Sequence, residues 1–112
     1  GSIVSYTEQI KSKLLGVPPE MIERHGVVSG NVAEAMARAV KERLGATIGV
    51  SITGVAGPGG GTDATPVGTV YIGLADDVTT TNRRLILPGD RHLIRWRSSQ
   101  AALDWVRRRY LL

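Results

Sequence analysis

Two residue pairs and one loop in this 112-residue chain have the types and spacing for chemistry. The first pair is Tyr6 and Lys11. If Tyr6 ends a strand and Lys11 lies one turn into the next helix, both approach the crevice at a strand end, where open α/β sheets take ligands. A lysine that is partly desolvated and close to other cations gives up its proton more readily and can serve as a base. On spacing alone, Lys11 also reads as an ordinary surface lysine, and Tyr-x4-Lys does not match the Tyr-x3-Lys pair of short-chain dehydrogenases. The second pair is Arg91 and Arg95, one helical turn apart. At a helix start they can grip a phosphate from the side while the helix N-terminus adds its dipole. The plainer reading is two exposed arginines. Thr53 and Gly54 end an alternating strand at the same edge. A threonine hydroxyl there holds a polar substrate group or satisfies a loop carbonyl.

The loop follows directly. From Gly54 to Thr62 the sequence is G-V-A-G-P-G-G-G-T, which can take positive φ almost anywhere. Its bare N–H groups suit an anion or an amide oxygen, and a flexible strand connection is the alternative. Two familiar motifs are excluded. A phosphate loop needs a Lys-Ser/Thr pair after its last glycine, but Thr62 and Asp63 follow Gly61. The dinucleotide fingerprint needs a glycine where Thr62 stands. No metal site is expected, because His25 and His92 lie in different segments with no ligand at metal-binding spacing.

These residues need elements to hold them. Thr7 can cap a helix to Leu15, stopped by Gly16. Pro18 and Pro19 open a short helix ending near His25. Ser29 caps a third helix to about Leu44, with Gly45 beyond it. Its stripe is Val32, Met36, Val40 and Leu44, widened by Ala35 and Ala39, and the alanines suggest close packing on a sheet. Glu34 and Arg38 sit at i,i+4 on its outside. Ile48, Val50 and Ile52 alternate with smaller residues as one strand, and Val70, Ile72 and Leu74 as a second. Residues 79–87 read as a further strand. Asp90 caps a last helix from Arg91 to about Tyr110, with Ile94, Ala101, Ala102, Trp105 and Val106 on its buried side.

Size and composition bound the rest. The length allows one domain, spanning residues 1–112, with enough chain to bury a core of its own. Cysteine is absent, so disulfides and thiolate chemistry are excluded. No apolar run reaches the length of a membrane span, and a cytoplasmic location is expected. The net charge is +4, with Arg83, Arg84, Arg91, Arg95, Arg97, Arg107, Arg108 and Arg109 in the last third. Such a field can attract nucleic acid or a phosphate ester, but a solvated helix face is the commoner reading and nucleic acid is not the expected partner.

Four blocks in order resemble the CinA C-terminal domain family, also known as nicotinamide-nucleotide amidase. Tyr6 to Val17 resembles Y-[ST]-N-x-x-K-x-x-L-L-G-V. Thr53 to Thr62 resembles T-G-[IV]-A-G-P-x-G-G-T. Pro66 to Val70 resembles K-P-V-G-T-V, with Thr65 in place of the lysine, and Gly89-Asp90-Arg91 with Arg95 resembles G-D-R-x-x-[IV]-R. The resemblance implies an α/β fold, a three-layer α/β/α sandwich with a mixed, mostly parallel sheet. It implies hydrolysis of the carboxamide of nicotinamide mononucleotide to nicotinate mononucleotide and ammonia, with no cofactor or metal, in a homo-oligomer. Lys11 would be the base and Tyr6 would position it or the substrate. Thr53 and Gly54 would shape the substrate pocket, Arg91 would hold the phosphate, and Arg95 belongs to the same block.

Two departures stand out. Glu8 replaces the usual asparagine near Lys11. The family's nucleophile is a serine in an A-E-S-C-T-G-G turn, and that run is absent. The sequence therefore reads as an N-terminally incomplete domain, missing the first strand and helix, and inactive alone. The alternative is a non-catalytic nucleotide-binding or oligomerisation domain. A third reading is a nucleic-acid accessory protein using its arginine-rich end, which salt sensitivity of DNA binding would reveal.

Overall fold

The computed structural model describes residues 1–5, 8–13 and 15–111. Among these described residues seven elements follow in order: α1 (Glu8–Lys13), α2 (Pro19–His25), α3 (Gly30–Arg43), β1 (Gly49–Gly54), β2 (Thr69–Ala75), β3 (Thr80–Ile86) and α4 (Arg91–Tyr110). Helices cover both faces of the sheet, which gives the expected α/β/α layering. The expected cap at Thr7 lies outside the described residues. The other caps form as the sequence indicates. Ser29 Oγ accepts from Val32 N (3.3 Å), and Asp90 accepts from Leu93 N (2.9 Å).

The sheet corrects one expectation. Its order is β1-β2-β3, and both pairings are antiparallel, not mostly parallel. The connections explain this. A parallel pair needs a crossover of a dozen or more residues, usually a helix. Here β2 turns into β3 across residues 76–79, and the glycine loop joins β1 to β2 without a helix.

One face of the sheet carries α3. Ala33 and Ala37 are fully buried there, and a methyl group at Gly73 or Gly49 would collide with their carbonyls. Helix and strand backbones therefore approach about as closely as they can. Ser51 Oγ donates to the Ala33 carbonyl. On its other side α3 packs Val32, Ala35 and Met36 against Leu15, Val17 and Ile22. Glu34 accepts from the Asn82 amide on β3, so it reaches toward the sheet instead of pairing along the helix with Arg38.

The opposite face carries α4. Val70, Ile72 and Leu74 of β2 meet Ile94, Ala102 and Trp105. Arg83 lies 4.4 Å from the Trp105 ring centre. The far end of α4 is fastened by Asp76 in the β2–β3 turn. Its carboxylate accepts from Thr79 N and Val78 N (both 2.8 Å) and from the Tyr110 hydroxyl (2.7 Å). These donors, the Thr79 amide first, hold the Asp76 carboxyl down to about 2. Burial, and then the bond to Asp76, push the Tyr110 phenol up.

β1 is an edge strand with two unlike sides. Gly49, Ser51 and Thr53 are buried, whereas Val50 and Ile52 are each 39% exposed. Val55 turns both main-chain groups toward β2, donating to Thr69 O (2.9 Å) and accepting from Gly68 N (2.8 Å). By the alternation of an antiparallel ladder, Val50, Ile52 and Gly54 point their main-chain groups outward. Among the described residues these outward groups have no backbone partner beyond the ladder.

Candidate functional site

The outer side of β1 borders a cavity of about 740 Å³. Its floor is Val50, Ile52 and Gly54, one wall is Ile94, Arg95, Ser98 and Ser99 of α4, and another is the N-terminal residues 1–5. The lining is mostly apolar with a few polar groups at its margins, as small-molecule sites commonly are.

Lys11 stands behind the N-terminal wall. It sits on α1 but is only 8% exposed, and its Nζ donates to the Ser5 carbonyl at 3.3 Å. Burial of an amine is costly unless it is hydrogen-bonded, so this placement is unlike that of a surface lysine. The chain reverses just after it, where Val17 N donates to Lys11 O (3.0 Å). Tyr6, its expected companion, lies outside the described residues.

Gly54 lines the cavity at the end of β1. A side chain there would run into the Thr69 carbonyl and Val70, at 2.8 and 2.9 Å. Thr53, one residue earlier, faces the other side of the sheet. Its hydroxyl donates to the Val27 carbonyl at 2.9 Å, tying β1 to the segment that leads into α3. The loop-satisfying role is thus occupied, and the oxygen keeps its acceptor capacity.

Arg91 and Arg95 take different positions although they are one turn apart. Arg95 lines the cavity. Arg91 reaches across and donates Nη1 to the Gly57 carbonyl at 3.0 Å, holding the glycine loop against the start of α4. Gly57, Gly60 and Gly68 have positive φ (80°, 86° and 97°), which explains three of the glycines in this region. The fold thus gathers Gly54, Arg95 and the Lys11-bonded Ser5 around one cavity. Arg91 is joined to it through the loop, and Thr53 lies behind the strand.

Ser98 and Ser99 were not singled out from sequence. They share the cavity wall with Arg95, and their i+3 and i+4 spacing from it was the available signal. Both hydroxyls already donate along the helix, Ser98 to Ile94 O (2.6 Å) and Ser99 to Trp96 O (2.8 Å). Among the described residues no group of three or more His, Cys, Asp or Glu side chains can hold a metal ion. None of their helices is long and apolar enough to cross a membrane.

Comparison with known proteins agrees with the four sequence blocks. The family model described as CinA C-terminal domain matches residues 1–110. A CinA-like protein of Koribacter versatilis is 52% identical over 111 residues, which is 99% of this chain and 27% of that protein. A CinA-like protein of Synechocystis sp. is 54% identical over 112 residues, 97% of this chain and 27% of that protein. The crystal structure of a competence or damage-inducible protein from Enterobacter asburiae superposes with a TM-score of 0.88 at 31% identity, covering 93% of this chain and 65% of that one. A competence/damage inducible protein from Agrobacterium tumefaciens superposes at 0.87 with 32% identity, covering 91% of this chain and 63% of that one. The chain spans about a quarter of the curated relatives' length and just under two thirds of the solved chains. The chain belongs to the CinA C-terminal domain family.

Proposed function

We propose that the domain to which this chain contributes is an amidohydrolase acting on the carboxamide of nicotinamide mononucleotide. The products are nicotinate mononucleotide and ammonia. One observation carries this reading: a buried lysine amine is bonded to the wall of a cavity that Gly54 and Arg95 also line.

The chemistry is that of a serine–lysine pair. The serine hydroxyl attacks the carboxamide carbon and passes its proton to the Lys11 amine. The carbonyl oxygen becomes an oxyanion, which glycine-loop N–H groups can stabilise. Collapse returns the proton to the departing nitrogen and releases ammonia. Water then repeats the attack on the acyl-enzyme, giving the carboxylate and the free serine. Arg91 or Arg95 takes the substrate phosphate. Each guanidinium carries five donors, so Arg91 can hold Gly57 and a phosphate oxygen together. The nucleophile comes from the A-E-S-C-T-G-G run, which these 112 residues do not contain.

The test is ammonia release from nicotinamide mononucleotide by a family protein that carries the serine run together with these residues. Lys11→Ala lowers turnover by about 10²–10⁴-fold, the usual worth of a positioned base, while circular dichroism stays unchanged. A near-normal rate removes Lys11 from the mechanism. The 112-residue chain by itself releases no ammonia, and release from it would overturn the need for the serine run. Binding of the nucleotide with no ammonia from the longer protein would favour the non-catalytic reading.

A further inference from the structure

The glycine loop is pinned at both ends and held once between them. Val55 at its start donates to Thr69 O (2.9 Å) and accepts from Gly68 N (2.8 Å). Near its end Thr62 N donates to Thr65 O and Thr65 N to Thr62 Oγ1, both at 3.0 Å. Among the described residues, the stretch 56–61 makes a single hydrogen bond, and Arg91 Nη1 supplies it, to the Gly57 carbonyl at 3.0 Å. Gly57 is buried at this point, whereas residues 58–61 are exposed. Four of the six residues are glycine, so the stretch has much backbone freedom to lose when it is ordered. Arg91 itself stands on a base that is fixed without the loop. Asp90 Oδ1 accepts from Leu93 N and Asp90 O from Ile94 N, both at 2.9 Å, and Arg97 donates to the Pro88 carbonyl. The buried Ile94 roots this first turn in the core. Arg91 does not line the cavity; Arg95 from the next turn does, with Gly54 and Ala56 from the start of the loop. One guanidinium therefore serves the cavity and the other serves the loop.

We propose that Arg91 is a positioning residue, whose bond to the Gly57 carbonyl sets the glycine loop beside the cavity and leaves the substrate anion to Arg95. The bond stands on its own geometry; its consequence for turnover rests on the amidase reading above. A hydrogen bond from a cation to a carbonyl is stronger than one between neutral groups. A guanidinium is also a pre-organised fork, which loses less freedom in making such a bond than a flexible ammonium does. Among the described residues, the N–H groups of Ala56, Gly57, Gly59, Gly60 and Gly61 make no hydrogen bond, so the loop has donors to offer. Donors stabilise a developing oxyanion to the extent that they are aimed before the charge forms. A loop released from Arg91 keeps its donors and loses their aim. That costs kcat on every substrate, whether or not it carries a phosphate. Loss of a phosphate ligand instead costs affinity, and only for the phosphorylated substrate.

Nitrogen-15 relaxation of the 112-residue chain reads the bond with no substrate present. Order parameters at Ala56, Gly57 and Gly59 lie near the rigid-backbone value of about 0.85 and fall below about 0.6 in Arg91→Ala. Arg95→Ala leaves them in place, and Arg91→Lys, which keeps the charge without the fork, falls between. Kinetics of a family protein that carries the serine run read the consequence, with nicotinamide mononucleotide and its dephosphorylated riboside as paired substrates. Arg91→Ala lowers kcat about 10²-fold on both, the scale of a small misplacement of reacting groups, with KM within a few-fold and circular dichroism unchanged. Arg95→Ala acts on KM instead, and more on the nucleotide than on the riboside. Order parameters that Arg91→Ala leaves in place overturn the proposal. So does a loss confined to KM for the nucleotide, which makes Arg91 the phosphate ligand. An unmutated protein that releases no ammonia from either substrate strikes the amidase reading, and the order parameters then decide by themselves whether Arg91 sets the loop.

Discussion

The two sides of the sheet are built on opposite terms. Against α3, β1 and β2 present Gly49, Ser51, Thr53 and Gly73, and the packing is so close that a methyl group would meet a helix carbonyl. Against α4, β1 presents Val50 and Ile52, larger and more apolar, yet these are half-exposed beside an open cavity. The side that looks better suited to a core is the open one. Close approach of two backbones requires small side chains, and dense packing follows from the approach, not from the size of each residue. Large apolar residues left with room around them line an open cavity instead.

The largest expected effect separates the sides directly. Gly73→Val should destabilise by about 3 kcal/mol or more, since the new side chain meets the Ala33 backbone and neither can yield. Val50→Phe, pointing into the cavity, should stay within about 1 kcal/mol of the parent. Urea unfolding of both variants decides it, and similar losses would mean that the sides are equally filled. A smaller contrast lies within the α4 side. Leu74, 1% exposed, should lose about 2–5 kcal/mol on change to alanine. Ile52, 39% exposed, should lose less than half as much in the same assay. An equal loss would show Ile52 to be as enclosed as Leu74.

The smallest effect concerns the fastening of α4 to the β2–β3 turn. Asp76 has a folded value of about 2 against an ordinary 3.8. Its ionised form is thus favoured in the folded chain. That stability is fully present above about pH 4 and is lost as the pH falls toward 2. Thermal melting of Asp76→Asn should show a shallower acid dependence over that interval. An unchanged acid limb would remove Asp76 from the fastening.

Much of this architecture was legible in the sequence because local signals agreed with one another. Ser29, Asp90 and the glycine stops bound the helices, and the alanines of α3 announced a close partner. Strand direction was not legible from alternation, which reports faces and says nothing of polarity; the short 76–79 turn set it for β2 and β3, and the lack of a helix between β1 and β2 set it for the other pair. Nor does alternation say which face of β1 receives the helix, so the burial of Ser51 and Thr53 beneath α3 emerged only from the fold. In the site, the spacing of Arg91 and Arg95 suggested a joint grip on one anion. The helix instead sends Arg95 to the cavity and Arg91 to the Gly57 carbonyl. Thr53 carried two readings, and its bond to Val27 fills one of them. On spacing alone Lys11 was indistinguishable from a surface lysine, and its burial is what sets it apart in the fold.

The outer edge of β1 presents two kinds of surface at once. The residues whose main chain points outward, Val50, Ile52 and Gly54, all line the cavity. A visitor therefore meets hydrocarbon and peptide dipoles in one repeat of about 6.8 Å, twice the rise of a strand residue. A compact molecule can satisfy a single repeat, whereas only an elongated one can satisfy them all. A rim built this way fits an occupant by outline as well as by polarity.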